Sequence, residues 1–285
     1  MFTIQPIQDG LSVAWEGQTL LEYHFSPEGN RPYWHPLRLP DLPSLTMNQP
    51  GDHVHHQGMW VAWKKVNGVN FWEQPRPGGD PKGFGRIVHQ RVAGQSATKE
   101  KARFATENAW IDWEGTQHVR EMRETTVFPP QTDSLVVDVQ LGIRAYQRPV
   151  TLDLNRGEPG RGGLFYSGLM IRFDNVLTPG KLLDADGRTE ADAIFGQASR
   201  WCGFAGKHTG DGQVYGATMI DHPSNLRHPT TWWVRNTENY GIIHPSPAYH
   251  APFQLDEDEA LALKYRVVLH KGYVNPDSLA MSFEP

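Results

Sequence analysis

Residues 51–60 read GDHVHHQGMW and place three of the chain's thirteen histidines within four positions, behind Asp52 and ahead of Gln57 and Trp60. Imidazole titrates near neutrality and carries two distinct nitrogens, so His53, His55 and His56 suit proton transfer, hydrogen bonding to a ligand, or metal ligation. On an extended strand the His-x-His pair sets His53 and His55 on one face. With Asp52 as a third ligand these two would suit a transition ion, which makes a divalent metal the cofactor the residue types admit without requiring it. The spacing matches neither the helical His-x-x-x-His zinc pattern nor another motif with its own geometry. A crowded, ordinary loop is the remaining reading.

A second group follows at 220–235, IDHPSNLRHPTTWWVR. Two prolines fix the backbone of a loop that presents His222, Asn225, Arg227 and His228 beside Asp221, with Trp232 and Trp233 behind. Converging donors and acceptors over an aromatic floor are what a neutral polar ligand such as a sugar needs. The competing reading is a turn capped by Asp221 and Asn225 with the tryptophans in the core. A third group, NRPYWHPLRLPD at 30–41, carries Arg31, Tyr33, Trp34, His35 and Arg38. Arginine's planar fork suits carboxylates, hydroxyls and carbonyls. Trp72 and Glu73, and further on Glu238, His244 and His250, are weaker candidates. If the two histidine blocks act together, they face one concave pocket.

Other chemistries are excluded by what is missing. There is no nucleophilic-serine elbow and no phosphate-binding loop, and GFGRIVHQ at 83–90 lacks the dinucleotide glycine pattern. A formal net charge of -5 and a pI near 6.2 leave no basic footprint for nucleic acid. No apolar run approaches the roughly 20 residues that cross a bilayer. The N-terminus lacks the basic and apolar regions of a secretory signal, so a cytoplasmic location is expected. A single cysteine, Cys202, forms no internal disulfide and reads either as a nucleophile or as a small buried residue.

The elements that position these residues read as strands. Leu135, Val137, Val139, Leu141 and Ile143 alternate with more polar neighbours, and Leu261, Leu263, Tyr265, Val267 and Leu269 repeat that period of two. Shorter strand candidates fill most of the chain between turn signals, and 28 glycines and 22 prolines leave little room for long helices. The one helix candidate is 188–200, weakened by Gly196. The pattern predicts an all-β, large antiparallel β-sandwich formed by a single domain over 1–285. The glycine-rich 154–168 reads as a long loop within it.

The blocks RPYWHPLRLP, DHVHHQGMWVAWKKVNGVNFW, DHPSNLRHPTTWWVR and LALKYRVVLHKG together resemble the PmoA-like bacterial family, over about residues 20 to 275. That family's first block usually reads Asp-His-Pro-His-His-His-Gly; here Val54 and Gln57 depart from it, which turns position 57 from metal ligation toward hydrogen bonding. The methane-oxygenase label does not carry over physically, because such a subunit is embedded in a membrane. The resemblance implies a galactose-mutarotase-like supersandwich and an association with carbohydrate catabolism. In that setting an imidazole from 53–56 or His222 acts as general acid at the ring oxygen and Glu238 as base. The same apparatus would serve elimination or hydrolysis of a 3-keto-glycoside, with a metal or histidine stabilising the enolate. The expected partner is a small-molecule carbohydrate, bound through Arg31, His35, Arg38, Gln57, Trp60, Asp221, Asn225, Arg227 and His228. The alternatives are a non-catalytic carbohydrate-binding protein and a metal-dependent oxygenase. No oligomeric state is legible.

Overall fold

The computed structural model describes residues 1–155 and 164–273. Strands β1 (Phe2–Ile7), β2 (Gly10–Trp15), β3 (Gln18–His24), β4 (Tyr33–Leu37) and β5 (Met59–Trp63) come first, followed by the short β6 (Lys65–Val66). Long strands β7 (Gly85–Ala97), β8 (Ala102–Asp112), β9 (Gln117–Val127) and β10 (Ser134–Ala145) come next. Then come β11 (Val150–Asp153), β12 (Ser167–Phe173), β13 (Lys181–Asp184), β14 (Trp201–Lys207) and β15 (Val214–Asp221). They are followed by β16 (Trp232–Thr237), β17 (Tyr240–Pro245), β18 (Phe253–Leu255) and β19 (Ala260–Lys271).

Two eight-stranded antiparallel sheets hold nearly all of these. The first runs β1-β2-β3-β4-β5-β12-β17-β16 and the second β13-β14-β15-β19-β10-β9-β8-β7, with a three-stranded β18-β11-β6 sheet beside them. The large antiparallel β-sandwich expected from the sequence is therefore the observed architecture. The alternation in 135–143 and 261–269 does what period two dictates: β10 and β19 pair side by side, with both apolar sets in the core between the sheets. Residues 188–200 instead contain only the short helix α1 (Ala191–Ile194). Gly196 takes a φ of 75°, and the chain around it pairs with the β16 approach. The glycine-rich loop falls largely outside the described residues. Cys202 lies on β14, fully buried, and burial pushes its thiol up. It is the small core residue and not the nucleophile.

The first sheet differs from a half-solvated one, because its central strands β5, β12 and β17 are buried at every position. Met59, Val61, Trp63, Leu169, Ile171 and Ile243 point into the main core. Their alternates Trp60, Ala62, Met170, Tyr240 and Ile242 form a separate apolar cluster on the outer face, with Trp233 of β16. Loops must cover that face, and one of them carries the histidines.

Gly58 joins that loop to β5. It has a φ of 67°, and a Cβ there would stand 2.3 Å from the Trp34 carbonyl oxygen and 2.8 Å from the His35 Cβ. Only glycine lets the loop pass this close to β4. Gly58→Ala is expected to destabilise the fold by about 2–4 kcal/mol, from left-handed strain plus the clash. A melting temperature unchanged from the parent would show that the loop does not depend on this approach.

Candidate functional site

The histidine stretch is a closed turn and not the extended strand that would put His53 and His55 side by side. Backbone bonds run from His53 N–H to the Pro50 carbonyl, from His56 N–H to the His53 carbonyl and from Gln49 N–H to the His56 carbonyl. Asn48 and Gln57 bridge its base. Proline and glycine at 50 and 51 favour turning over extension. The result stacks His53 on His56, with ring centroids 4.7 Å apart, while His55 stands edge-on to both. His56 stacks in turn on Trp60 at 5.1 Å, and both His53 and His56 present edges to Tyr240. Asp52 accepts a 2.7 Å hydrogen bond from His53 Nδ1. Asp52, His53 and His55 do not converge as a ligand set, and among the described residues no group of three or more His, Cys, Asp or Glu is arranged to hold a metal ion.

Aromatic rings continue the cluster. Trp60 meets Trp72, Trp72 stacks on Tyr166 at 4.6 Å, and Tyr166 meets Trp233 edge-on. Beside them Glu73 forms an ion pair with Lys64 and accepts 2.7 Å from Asn70 Nδ2. Burial would raise the Glu73 carboxyl, but the Lys64 ammonium and these hydrogen bonds hold it below the usual carboxylate range. Burial, with the Arg31 guanidinium nearby, brings His55 down to about 4, although Glu73 opposes that shift. Burial drives His56 far lower and takes His244 down to about 3. At neutral pH His55, His56 and His244 are therefore uncharged, next to the ionised Glu73 carboxylate. Burial keeps the Tyr166 and Tyr240 phenols protonated.

Several buried polar atoms on this face have no protein partner: His56 Nδ1, Gln57 Oε1, Trp60 Nε1, His244 Nδ1, and Nε and Nη1 of Arg172. Buried polar groups are normally satisfied, so these atoms leave hydrogen-bonding capacity that water or a ligand can take up.

The remaining candidates have other duties. Arg31 donates to the His55 carbonyl at 3.0 Å and to the Trp72 carbonyl, so it ties the histidine loop to the 70–73 segment from below. His35 bonds Thr46 Oγ1 through Nδ1, and Arg38 donates to the Thr19 carbonyl away from the rings. Glu238 is exposed in the β16–β17 turn, and its carbonyl accepts from Thr178. The carboxylates beside the imidazoles are Asp52, bonded to His53, and Glu73, which acts on His55.

The second block is not brought to the first. Asp221 ends β15 in the second sheet, accepting from Asn225 Nδ2, His228 Nδ1 and the Thr230 N–H. Asn225 also exchanges hydrogen bonds with the Lys264 backbone, and His222 Nδ1 accepts from the Ser224 N–H. Arg227 donates to the Pro247, Ala251 and Pro252 carbonyls. These bonds close the loop that enters β16 at Trp232, whereas His53 and His56 lean on Tyr240, at the opposite end of the β16–β17 hairpin. Five residues of strand, about 17 Å at the usual rise, lie between. The expectation of one composite pocket is corrected accordingly: the block at 221–228 is the capped turn.

Lys64, Tyr166, Arg172 and Tyr240 escaped the sequence reading. Arg172 did leave a signal, as the one charge inside SGLMIRF, a strand buried at all seven positions. An apolar hollow on the second sheet, lined by Leu183, Trp201, Phe204 and Tyr273 among others, contains none of the candidate residues.

Three imidazoles with depressed affinities for protons carry a consequence for stability. His35, His55 and His244, near 4, 4 and 3, take up protons in the unfolded chain below about pH 6.5 but not yet in the folded one. Stability is full above that pH and falls as pH drops toward 4. For the fully buried His244 the slope approaches about 1.4 kcal/mol per pH unit. The melting temperature should decline over this window, and less steeply in His244→Gln; identical profiles would contradict the assignment.

Comparison with known proteins gives a family without a function. No curated protein matches. Among solved structures the chain is similar to a GalM/aldose epimerase homologue from C. elegans, at 8% identity and a TM-score of 0.34, over 96% of this chain and 99% of that one. A heparinase III is similar at 10% identity and a TM-score of 0.30, over 94% of this chain and 30% of that one. A TPR-domain containing protein from Parabacteroides distasonis gives 10% identity and a TM-score of 0.30, over 97% and 50%. The chain thus spans under two thirds of the latter two, and likenesses this slight assign no substrate. No helix among the described residues is long and apolar enough to cross a membrane. Residues 10–284 match a family of unknown function, DUF6807, and the chain belongs to that family, which carries no methane-oxygenase definition.

Proposed function

We propose that the outer face of the first sheet binds a sugar or oxidised sugar and that the protein is a carbohydrate-active enzyme working by proton transfer. The observation that carries this reading is the set of unpartnered buried donors and acceptors, His56 Nδ1, Gln57 Oε1 and Trp60 Nε1, arrayed beside the Trp60, Trp72, Tyr166 and Trp233 rings. The half-buried Tyr166 ring suits the apolar side of a sugar ring, and the polar atoms suit its hydroxyls.

In this reading His55 is the base. Its imidazole is unprotonated at neutral pH and accepts a proton from carbon or hydroxyl, and the Glu73 carboxylate stabilises the imidazolium that results. The protonated phenols of Tyr166 and Tyr240, with Trp60 Nε1, donate to the oxygen on which charge develops. Next to an oxidised carbon such a base removes an acidified proton, which leads to epimerisation or to elimination of a glycoside. Glu73 replaces Glu238 as the carboxylate. The Lys64–Glu73 pairing also favours a second reading, non-catalytic sugar binding, because it neutralises the carboxylate before any ligand arrives.

Incubation with a panel of aldoses and 3-keto-glycosides in deuterated buffer, followed by NMR, separates these. Turnover or exchange of a ring proton is expected in the parent, with a loss of roughly 10²–10⁴-fold in His55→Ala and retained binding. Binding without turnover by the parent would support the second reading. Full activity in His55→Ala would remove His55 as the base.

A further inference from the structure

Arg172 stands out on the outer face because its surroundings do not account for its charge. It is fully buried on β12, with Nη2 donating to the Asn239 carbonyl at 2.7 Å and to Asn175 Oδ1 at 3.3 Å. These bonds hold the β16–β17 turn, but Nε and Nη1 have no partner. Its guanidinium lies 3.9 Å from the centre of the Tyr240 ring, and the exposed Arg235 covers the same ring at 4.8 Å. Two cations thus share one phenol. Two carboxylates come close enough to feel Arg172 but do not bond to it: Asp52 accepts from His53, and Asp174 accepts from the Val176 N–H. A buried cation without a contacting anion is costly, and an arriving anion would relieve that cost.

Resting on the sugar-binding reading above, we infer that Arg172, Arg235 and Tyr240 form an anion subsite at the edge of the histidine cluster, so that the preferred ligand is an acidic sugar. Such a sugar presents its carboxylate to the unpartnered guanidinium N–H groups and its ring to the half-buried His53. A planar monoanion suits this corner, because the guanidinium is planar and the Asp52 and Asp174 charges disfavour a dianion such as phosphate.

Calorimetric titration of the full chain with D-glucuronate, D-galacturonate and D-gluconate, against D-glucose, D-galactose and D-glucitol, tests this. At least one acid is expected to bind roughly tenfold or more tightly than its neutral counterpart, as hydrogen bonds to a charged partner allow. Arg172→Gln and Arg235→Gln should each erase most of that preference. Loss of Arg172 also releases the β16–β17 turn, so melting curves accompany it, and the exposed Arg235 supplies a test that folding does not confound. Neutral sugars binding as tightly as the acids, or a preference that survives both substitutions, would overturn the subsite while leaving the sugar reading intact. If no sugar binds but acetate quenches tryptophan fluorescence in an Arg235-dependent way, the subsite stands and the sugar reading falls. If none of the probes binds, both fall.

Discussion

Strands β5, β12 and β17 run through the middle of the first sheet with solvent on neither side. A strand in that position cannot keep the usual division into one dry and one wet face, so each alternate residue needs cover from somewhere else in the chain. Trp60, Met170, Ile242 and Tyr240 meet the requirement by packing against one another and under the 47–58 and 70–73 segments. Gly58 lets the first of these segments pass tightly over β4, and Arg31 fastens both from below through the His55 and Trp72 carbonyls. The same cover excludes water from His56, His244 and Arg172 and half-buries His55. Their depressed proton affinities and unpartnered atoms are consequences of that exclusion, not separate features.

This arrangement explains how a structural requirement generates chemistry. Imidazoles on an exposed loop titrate near neutrality, but His56, packed against Trp60 and Tyr240, and the half-buried His55 stay uncharged through the physiological range. A carboxylate moved into the same environment would ordinarily become neutral as well. Lys64 prevents this for Glu73, so the face holds a neutral imidazole, His55, next to a negative charge. Groups whose environments push their titrations apart are what proton-transfer sites require.

The sequence revealed the sheets more readily than the site. Period-two runs such as 135–143 and 261–269 are local and survive any change of neighbours, so they predict strands that the structure contains. The histidine cluster was visible for the same reason, as a dense local signal. Its geometry was not, because the turn depends on Pro50, Gly51 and the Asn48–Gln57 bridge more than on the His-x-His spacing. The block at 221–228 looked equally rich in chemistry, yet its polar groups serve to close a loop, and only partner identities tell these cases apart. Lys64 and Glu73, Arg172, and Tyr240 reach the imidazoles from three different parts of the chain. That convergence depends on the strand order β4-β5-β12-β17, which no local pattern contains.

The central claim is that the outer face of the first sheet, and not the 221–228 loop, is where the ligand sits. The most direct test is to follow histidine side-chain NMR resonances during titration with whichever sugar binds. The account predicts that His53, His55 and His56 shift together with the Trp60 indole while His222 and His228 hold still. Shifts confined to His222 and His228 would contradict it.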